Sequence, residues 1–590
     1  MKKYILIASV IFLAGCTKQL NQTPQSTASV SAIFGTTGGL QLYATSFYDN
    51  LPGISDVYKT DAGMSDLGTQ SSPPSFLLAG AYTSRQSSGW SFTALRNINY
   101  FIANNTNPAI PVATRNNYNG LARFFRAYFY YNMVVRFGDV PWVSTPLSVT
   151  DSTLYAARTP RAVVMDSILA DLDYAIANIS MTTDPTASQI TRWVAYGLKS
   201  RVCLFEGTFR KYRGGQTSDY QPWLQEAATA AKAVIDSGRF ALNQSGGVTQ
   251  SYRQLFISAA PIASEVMLSN VASSSLAVFN DANWYFTSAT YGVRFSYTRR
   301  FINTYLNLDG TPFTSTPGYD TVTFVNEVKN RDTRLQQTIR TPGYNRINSG
   351  NPVAAPPVFS YTYTGYQPIK WCLDDVYYDN GANNTNSISL MRYAEILLNY
   401  AEAEAELGQM TASIWSSTIG ALRARAGITG GLTTVPTTAD PYMEAYFQNT
   451  VTDPVILEVR RERGTELNLE GLRYNDLIRW QQGLLLTLPW NGFYVPSLNT
   501  LMDLNADGVP DVCFYQGSAP STVAGVTYVN VSSTLNGGPN PQILSQGDHG
   551  ELHWLDNVSR TFDTTYMYLY PIPYSELQLN PNLQQNPKWQ

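Results

Sequence analysis

The sequence predicts a mainly α-helical protein, with helix hairpins as a scaffold and long loops and a few short strands laid over it. Three observations carry this. Apolar residues recur at helical spacing through several long segments. These segments follow one another with short or moderate connections, as helix hairpins require. Two stretches, 245–380 and 484–560, are rich in Ser, Thr, Asn, Tyr and Gly and lack periodicity, so they read as loops carrying function.

The chain opens on Lys2-Lys3, an apolar run from Tyr4 to Ala14 interrupted by Ser9, and Leu13-Ala14-Gly15-Cys16. A basic-apolar-small segment of this length is a secretory signal, too short to span a bilayer. Its ending resembles the bacterial lipobox, so residues 1–15 are expected to be removed and Cys16 acylated. Diacylglycerol plus an amide-linked chain meets the two-signal condition for stable anchoring. Residues 17–33 are polar and read as a flexible tether, and 34–590 as a single body.

The segment 90–104 (WSFTALRNINYFIAN) is the first clear helix. Tyr118–Phe137 follows and is stopped by Gly138 and Pro141. Helices are then expected over Ala162–Ile179, Gln189–Phe205 and Trp223–Ser237. Ala227, Ala228, Ala230 and Ala231 supply the small residues that let helices approach. The pattern is that of tetratricopeptide-like stacking, without the strict 34-residue consensus. Helix returns at Ile388–Leu407, Pro454–Asn468 and Tyr474–Gln482.

Lys plus Arg is 40 and Asp plus Glu is 43, a net charge of −3, which argues against nucleic acid as a partner. Charged residues make up 14% and aromatics 13%, with 39 Tyr and 11 Trp, a composition that leans toward uncharged ligands such as sugars. Beyond Cys16, Cys203, Cys372 and Cys513 form no C-x-x-C and are expected to be buried thiols. The only histidines are His549 and His553. Their i, i+4 spacing would suit a metal on a helix, but Gly550 stands where H-E-x-x-H places its glutamate.

Several segments resemble the SusD/RagB family of bacterial surface lipoproteins: LARFFRAYFYYNMVVRFGDVPWV (121–143), ILADLDYAI (168–176), NRDTRL (330–335), LMRYAEILLNYAEAEAELG (390–408), VRRERGTELNLEGLRYNDLIRW (459–480) and YLYPIPYSELQLNPNLQQNPKW (568–589). They run in order over most of the chain. The resemblance implies a binding protein on the outer face of the outer membrane, a lid over a TonB-dependent barrel of the SusC type, with no catalysis.

Within two of these motifs acids and arginines interleave. Paired carboxylates would suit glycoside hydrolysis. However, Glu395, Glu466 and Glu470 each have an arginine three residues away, Arg392, Arg463 and Arg473, which would hold the acid ionised. Glu402 and Glu462 have no such local partner. A structural ion-pair network is therefore expected, and not an enzyme.

Asp503, Asn505, Asp507, Val509 and Asp511 match the first part of a calcium loop, with Gly508 at its turn, although Phe514 replaces the closing glutamate. Structural Ca2+ is the one cofactor expected. For the ligand surface, loop aromatics and polar groups are the candidates: Trp90, Trp284, Tyr285, Tyr291, Arg294, Tyr366 and Trp371, with Asp61 and Asp66 as acceptors for sugar hydroxyls. The expected ligand is an extracellular oligosaccharide or polysaccharide. A peptide ligand on the same fold and a secreted glycoside hydrolase are the competing readings.

Overall fold

A computed structural model describes residues 30–213 and 218–589. The signal segment, Cys16 and residues 17–29 of the expected tether lie outside them. The end of that tether already belongs to a helix, Val30–Phe34, with Phe34 buried against Tyr43 and Phe101.

Helices form where the apolar period places them. Helix α1 (Thr93–Asn104) buries Leu95, Ile98 and Phe101. Helix α2 (Val112–Phe137) starts just after Pro111 rather than at Tyr118; its polar first turns carry no apolar stripe, so the period does not show them. It stops at Gly138, whose φ of +77° an L side chain adopts only with strain. Helices α3 (Arg161–Asn178), α4 (Arg192–Arg213) and α5 (Gln221–Asp236) follow, each packed on the one before. Ala227, Ala228, Ala230 and Ala231 are buried in α5. A Cβ at Gly207 of α4 would fall 2.7 Å from Leu224 Cδ2, so the two helices meet with no room for a larger residue. Helix α6 (Tyr393–Glu406) packs on α5, and α7 (Pro454–Leu467) on α6. Asp453 caps α7 by accepting from the Val455 and Ile456 N–H groups, and Pro454 fills its first turn. Helix α8 (Arg473–Arg479) then returns against α4.

One expectation is corrected. The single helix over 388–407 begins as a strand: β2 (Ile388–Arg392) pairs antiparallel with β1 (Val266–Asn270), and the helix starts only at Tyr393. Ile388, Ser389, Met391 and Arg392 are all buried, and a short run buried on both faces does not distinguish strand from helix by period.

The loop-rich stretches enclose a core of their own, built from Phe286, Phe295, Tyr297, Phe301, Phe493 and Phe514 among others. Most of the aromatic richness is spent in this core and in the helical one. Strands β3 (Trp490–Val495), β4 (Gln542–Leu544) and β5 (Gly550–Trp554) form an antiparallel sheet with β5 in the middle.

A buried ion-pair network joins the helices to the loops. Glu466, wholly buried, takes Arg334 at 2.8 Å, Arg392 at 2.6 Å and Arg425. Glu470 takes Arg392 and Lys370, both at 2.7 Å. Glu462 takes Arg334 at 2.5 Å and Arg423 at 3.0 Å. Glu402 takes Arg479 and accepts from Trp480 Nε1 at 2.6 Å. The network is there, but not through the partners the sequence suggested. Glu395 pairs with Arg201 at 2.7 Å, while Arg463 and Arg473 pair at 2.7 Å with Asp476 and Asp66. On a helix buried all round, a charged side chain meets neighbouring elements, so i, i+3 spacing does not choose its partner. Burial pushes the Glu466 carboxyl upward, but the guanidiniums of Arg425, Arg392 and Arg334 outweigh it and hold it well below the carboxylate range.

Candidate functional site

The segment 280–294 is built around Asp281. Its carboxylate accepts from the Tyr58 hydroxyl, from Lys59 Nζ at 2.6 Å and from the Tyr291 hydroxyl at 2.5 Å. Burial would raise this carboxyl, but the donors of Lys59, Tyr291 and Tyr58 bring it below its ordinary value. Held this way, Tyr291 lies flat on Trp284, ring centroids 3.6 Å apart and planes within 15°. Both rings stay half-exposed.

At the far end of the segment Arg294 adopts φ +49°, a left-handed conformation unusual for a long side chain and typical of backbone constrained by its surroundings. Two contacts impose it: the Ser71 N–H donates to the Val293 carbonyl at 2.7 Å, and Ser296 and Tyr297 pair with Thr69 and Gly68. The guanidinium sits 4.2 Å above the Tyr363 ring, and Tyr363 stacks on Trp554 at 3.7 Å and 16°. Tyr363 is therefore covered on both faces and buried, while Trp554, the last residue of β5, is half-exposed and tied by Nε1 to the Gln70 carbonyl at 2.9 Å. The turn Val376–Asp379 packs on Ala282–Thr287, the short helix that carries Trp284, and presents Tyr377, 71% exposed. The result is a region with two stacked aromatic pairs, an exposed tyrosine and the polar groups of Arg294 and Lys59, with Asp281 buried beneath as the anchor of Lys59. Ring faces of this kind receive the C–H faces of sugars.

The sequence candidates sort as follows. Trp284, Tyr291 and Arg294 belong to this surface, and Tyr285 is buried beneath them. Tyr366 and Trp371 are corrected: both are wholly buried, with the Tyr366 hydroxyl donating to Glu327 at 2.5 Å and Trp371 Nε1 to the Leu469 carbonyl at 2.9 Å. Asp61 and Asp66 are corrected too. Asp66 is buried against Arg473 and the Tyr446 hydroxyl, and Asp61 accepts from the N–H groups of Gly471 at 2.9 Å and Arg473 at 3.1 Å. Neither can meet a sugar. Trp90 lies elsewhere, in a groove of about 390 Å³ with Phe92, Leu147, Leu579 and Leu583. Tyr363, Trp554 and Tyr377 were missed. Trp554 ends an alternating strand, the one signal that could have found it.

A cleft of about 570 Å³ lies between α2, α4 and residues 470–475, lined by Tyr128, Tyr131, Arg201 and Asn475. It and the Trp90 groove are concave. Concavity selects small, enclosed ligands, whereas an extended chain of sugars needs an open face with rings set along it, so the aromatic surface is the better candidate.

Burial pushes the Asp61 carboxyl up to about 7, against the pull of the Gly471 and Arg473 N–H groups. That value would suit a general acid, but the group has no access. Its folded value exceeds the unfolded one, near 3.9, so its stabilising contribution is complete below about pH 4 and is lost as pH rises toward about 7. Urea titrations of D61N and the wild type across this range should show the wild type losing stability relative to the variant as pH rises.

The 503–511 loop folds as a series of Asx turns. Asp503 accepts from the N–H groups of Asn505, Ala506 and Gly508, Asp507 from Val509, and Asp511 from Leu504 at 2.7 Å. Phe514 is in the core. The all-oxygen donor set suits a hard cation, but among the described residues no group of three or more His, Cys, Asp or Glu side chains is arranged to hold a metal. No helix carries the i, i+4 histidines: His549 precedes β5 and His553 lies in it, with His549 against Asp548 at 2.7 Å and His553 against Asp556.

Residues 272–589 match the model of the SusD family, and residues 91–204 match a model described as starch-binding associating with outer membrane. The chain is 24% identical over 515 residues to SusD-like protein P2 of Formosa agariphila, covering 82% of this chain and 92% of that protein. A SusD-like protein of Bacteroides fragilis superposes with a TM-score of 0.69 at 19% identity, covering 96% of this chain and all (100%) of that one. A SusD-like carbohydrate binding protein of the same organism gives 0.66 at 20% identity, covering 94% and 100%. With more than half of its length matched by the family model, from the loop segment of Trp284 to the closing Trp589, the chain belongs to the SusD family.

Proposed function

We propose that this protein is a non-catalytic binding protein of the cell surface, anchored through Cys16 to the outer membrane, that captures an oligosaccharide or polysaccharide and acts as the lid of a SusC-type TonB-dependent importer. The observation that carries the glycan reading is the pair of aromatic stacks, Trp284–Tyr291 and Tyr363–Trp554, of which Trp284, Tyr291 and Trp554 are half-exposed. Family membership supports the lid role, and a family model described as starch-binding at the outer membrane supports location and ligand class. Against hydrolysis stands the engagement of the motif acids: Glu402, Glu466 and Glu470 are buried among guanidiniums that keep them ionised, which removes them as general acids. Native electrophoresis of the purified protein through gels containing plant, host and microbial polysaccharides tests this. Retardation by one polymer, with the polymer intact after long incubation, supports it; depolymerisation by the pure protein contradicts it.

Calcium at the 503–511 loop is a separate part of the proposal. The Asp-x-Asn-x-Asp-Gly spacing supports it, as does the rise of the Asp511 carboxyl through burial and the neighbouring Asp503 and Asp507. Calcium should raise the thermal unfolding midpoint and EDTA lower it. An unchanged midpoint removes calcium from the protein.

A further inference from the structure

We propose that the aromatic surface selects anionic glycans, with Arg294 taking the carboxylate of a uronic acid or a sulfate ester. This rests on the glycan-binding reading above and names its substrate class. Several acids bordering the surface are already matched. Asp281 has Lys59 at 2.6 Å, Glu551 has Arg299 at 2.9 Å, Asp379 has Arg346 at 2.7 Å, Asp374 has Arg253 at 2.5 Å, and Asp556 has His553. Arg294 has no carboxylate in ion-pairing range among the described residues. Its Nη2 donates to the Phe359 carbonyl at 2.9 Å, and its buried Nε donates to nothing.

With no acid to neutralise it, this half-buried guanidinium keeps a charge that a ligand can meet, through its outer nitrogens and not through the buried Nε. Stacking on Tyr363 fixes its plane, and the left-handed backbone at Arg294 sets its direction. A fixed planar fork matches carboxylate and sulfate oxygens and gains little from a neutral hydroxyl. The low overall charge of the chain leans toward neutral sugars, but that figure averages over the whole surface, and one uncompensated cation beside two aromatic stacks outweighs it at the site. The net charge of −3 also means that general attraction to polyanions does not explain binding of one.

The test is native electrophoresis and titration of the purified protein against polygalacturonic acid, a sulfated galactan, and neutral starch and dextran. Retardation by an anionic polymer, weakening as salt is added, is the expected result. Preference for the uronate polymer assigns the carboxylate, and preference for the galactan assigns the sulfate ester. R294Q should lose affinity for that polymer by about ten- to hundredfold, and R294K should recover part of it, since the charge returns without the fork. If R294Q does not fold, the salt dependence of the wild type carries the test. Binding of a neutral polymer, insensitive to salt and to R294Q but weakened by W554A, overturns the proposal and leaves the glycan reading standing. Retention of no polymer at all overturns both.

Discussion

Replacing Glu466 by glutamine is expected to lower the unfolding free energy by about 3–5 kcal/mol, read as a fall in the urea midpoint. Glu466 is the shared anion of Arg334, Arg392 and Arg425, and all four groups are buried. The amide keeps the shape but removes the charge, leaving three desolvated guanidiniums around a neutral group. Arg392 also holds Glu470, and Arg334 also holds Glu462 and Asp332, so the disturbance reaches both the loops and α7. The surface acid Glu226, 44% exposed and paired with Lys199, is the control: E226Q should cost less than about 1 kcal/mol. The effect has a pH signature. The Glu466 carboxyl lies well below its ordinary 4.5 when folded. Its stabilising contribution is therefore present above the unfolded value and lost as pH falls below it. The gap between wild type and E466Q should narrow in acid, opposite in sign to the Asp61 effect.

Alanine at Trp554 is expected to weaken glycan binding by on the order of 2 kcal/mol, about thirtyfold in Kd, and W284A by a similar amount. Each removes the half-exposed ring of a stacked pair. W554A has a second consequence, because Tyr363 loses one of its two covers and Arg294 rests on the other. W284A frees Tyr291 but leaves its hydroxyl on Asp281, so it should act on affinity with little change in stability. Double substitution should bring retention to the limit of detection.

The helical scaffold was legible because burial on one face imposes a period, and Gly138, Pro160 and Pro454 mark helix boundaries that sequence can show. The 388–392 strand was not, because a run buried on both faces has no period to read. The site was legible only in part. Trp284, Tyr291 and Arg294 lie within one segment, so their proximity follows from chain connectivity. Tyr363 and Trp554 are brought to Arg294 by pairing that spans most of the loop-rich half, which no local pattern encodes. Asp61 and Asp66 misled for a related reason: with few basic residues nearby in sequence they looked free, whereas Arg473, far along the chain, binds one through its side chain and the other through its backbone. Tyr366 and Trp371 sit among polar residues and are nonetheless core, since the polar neighbours hydrogen-bond inward.

The most direct measurement compares W554A with W90A by calorimetric titration against whichever glycan the wild type retains. Trp90 is as aromatic as Trp554 but lines the separate groove with Leu579 and Leu583. A Kd raised about thirtyfold by W554A and unchanged by W90A is the predicted result. Loss of binding in W90A with W554A unaffected would contradict it and move the ligand to that groove.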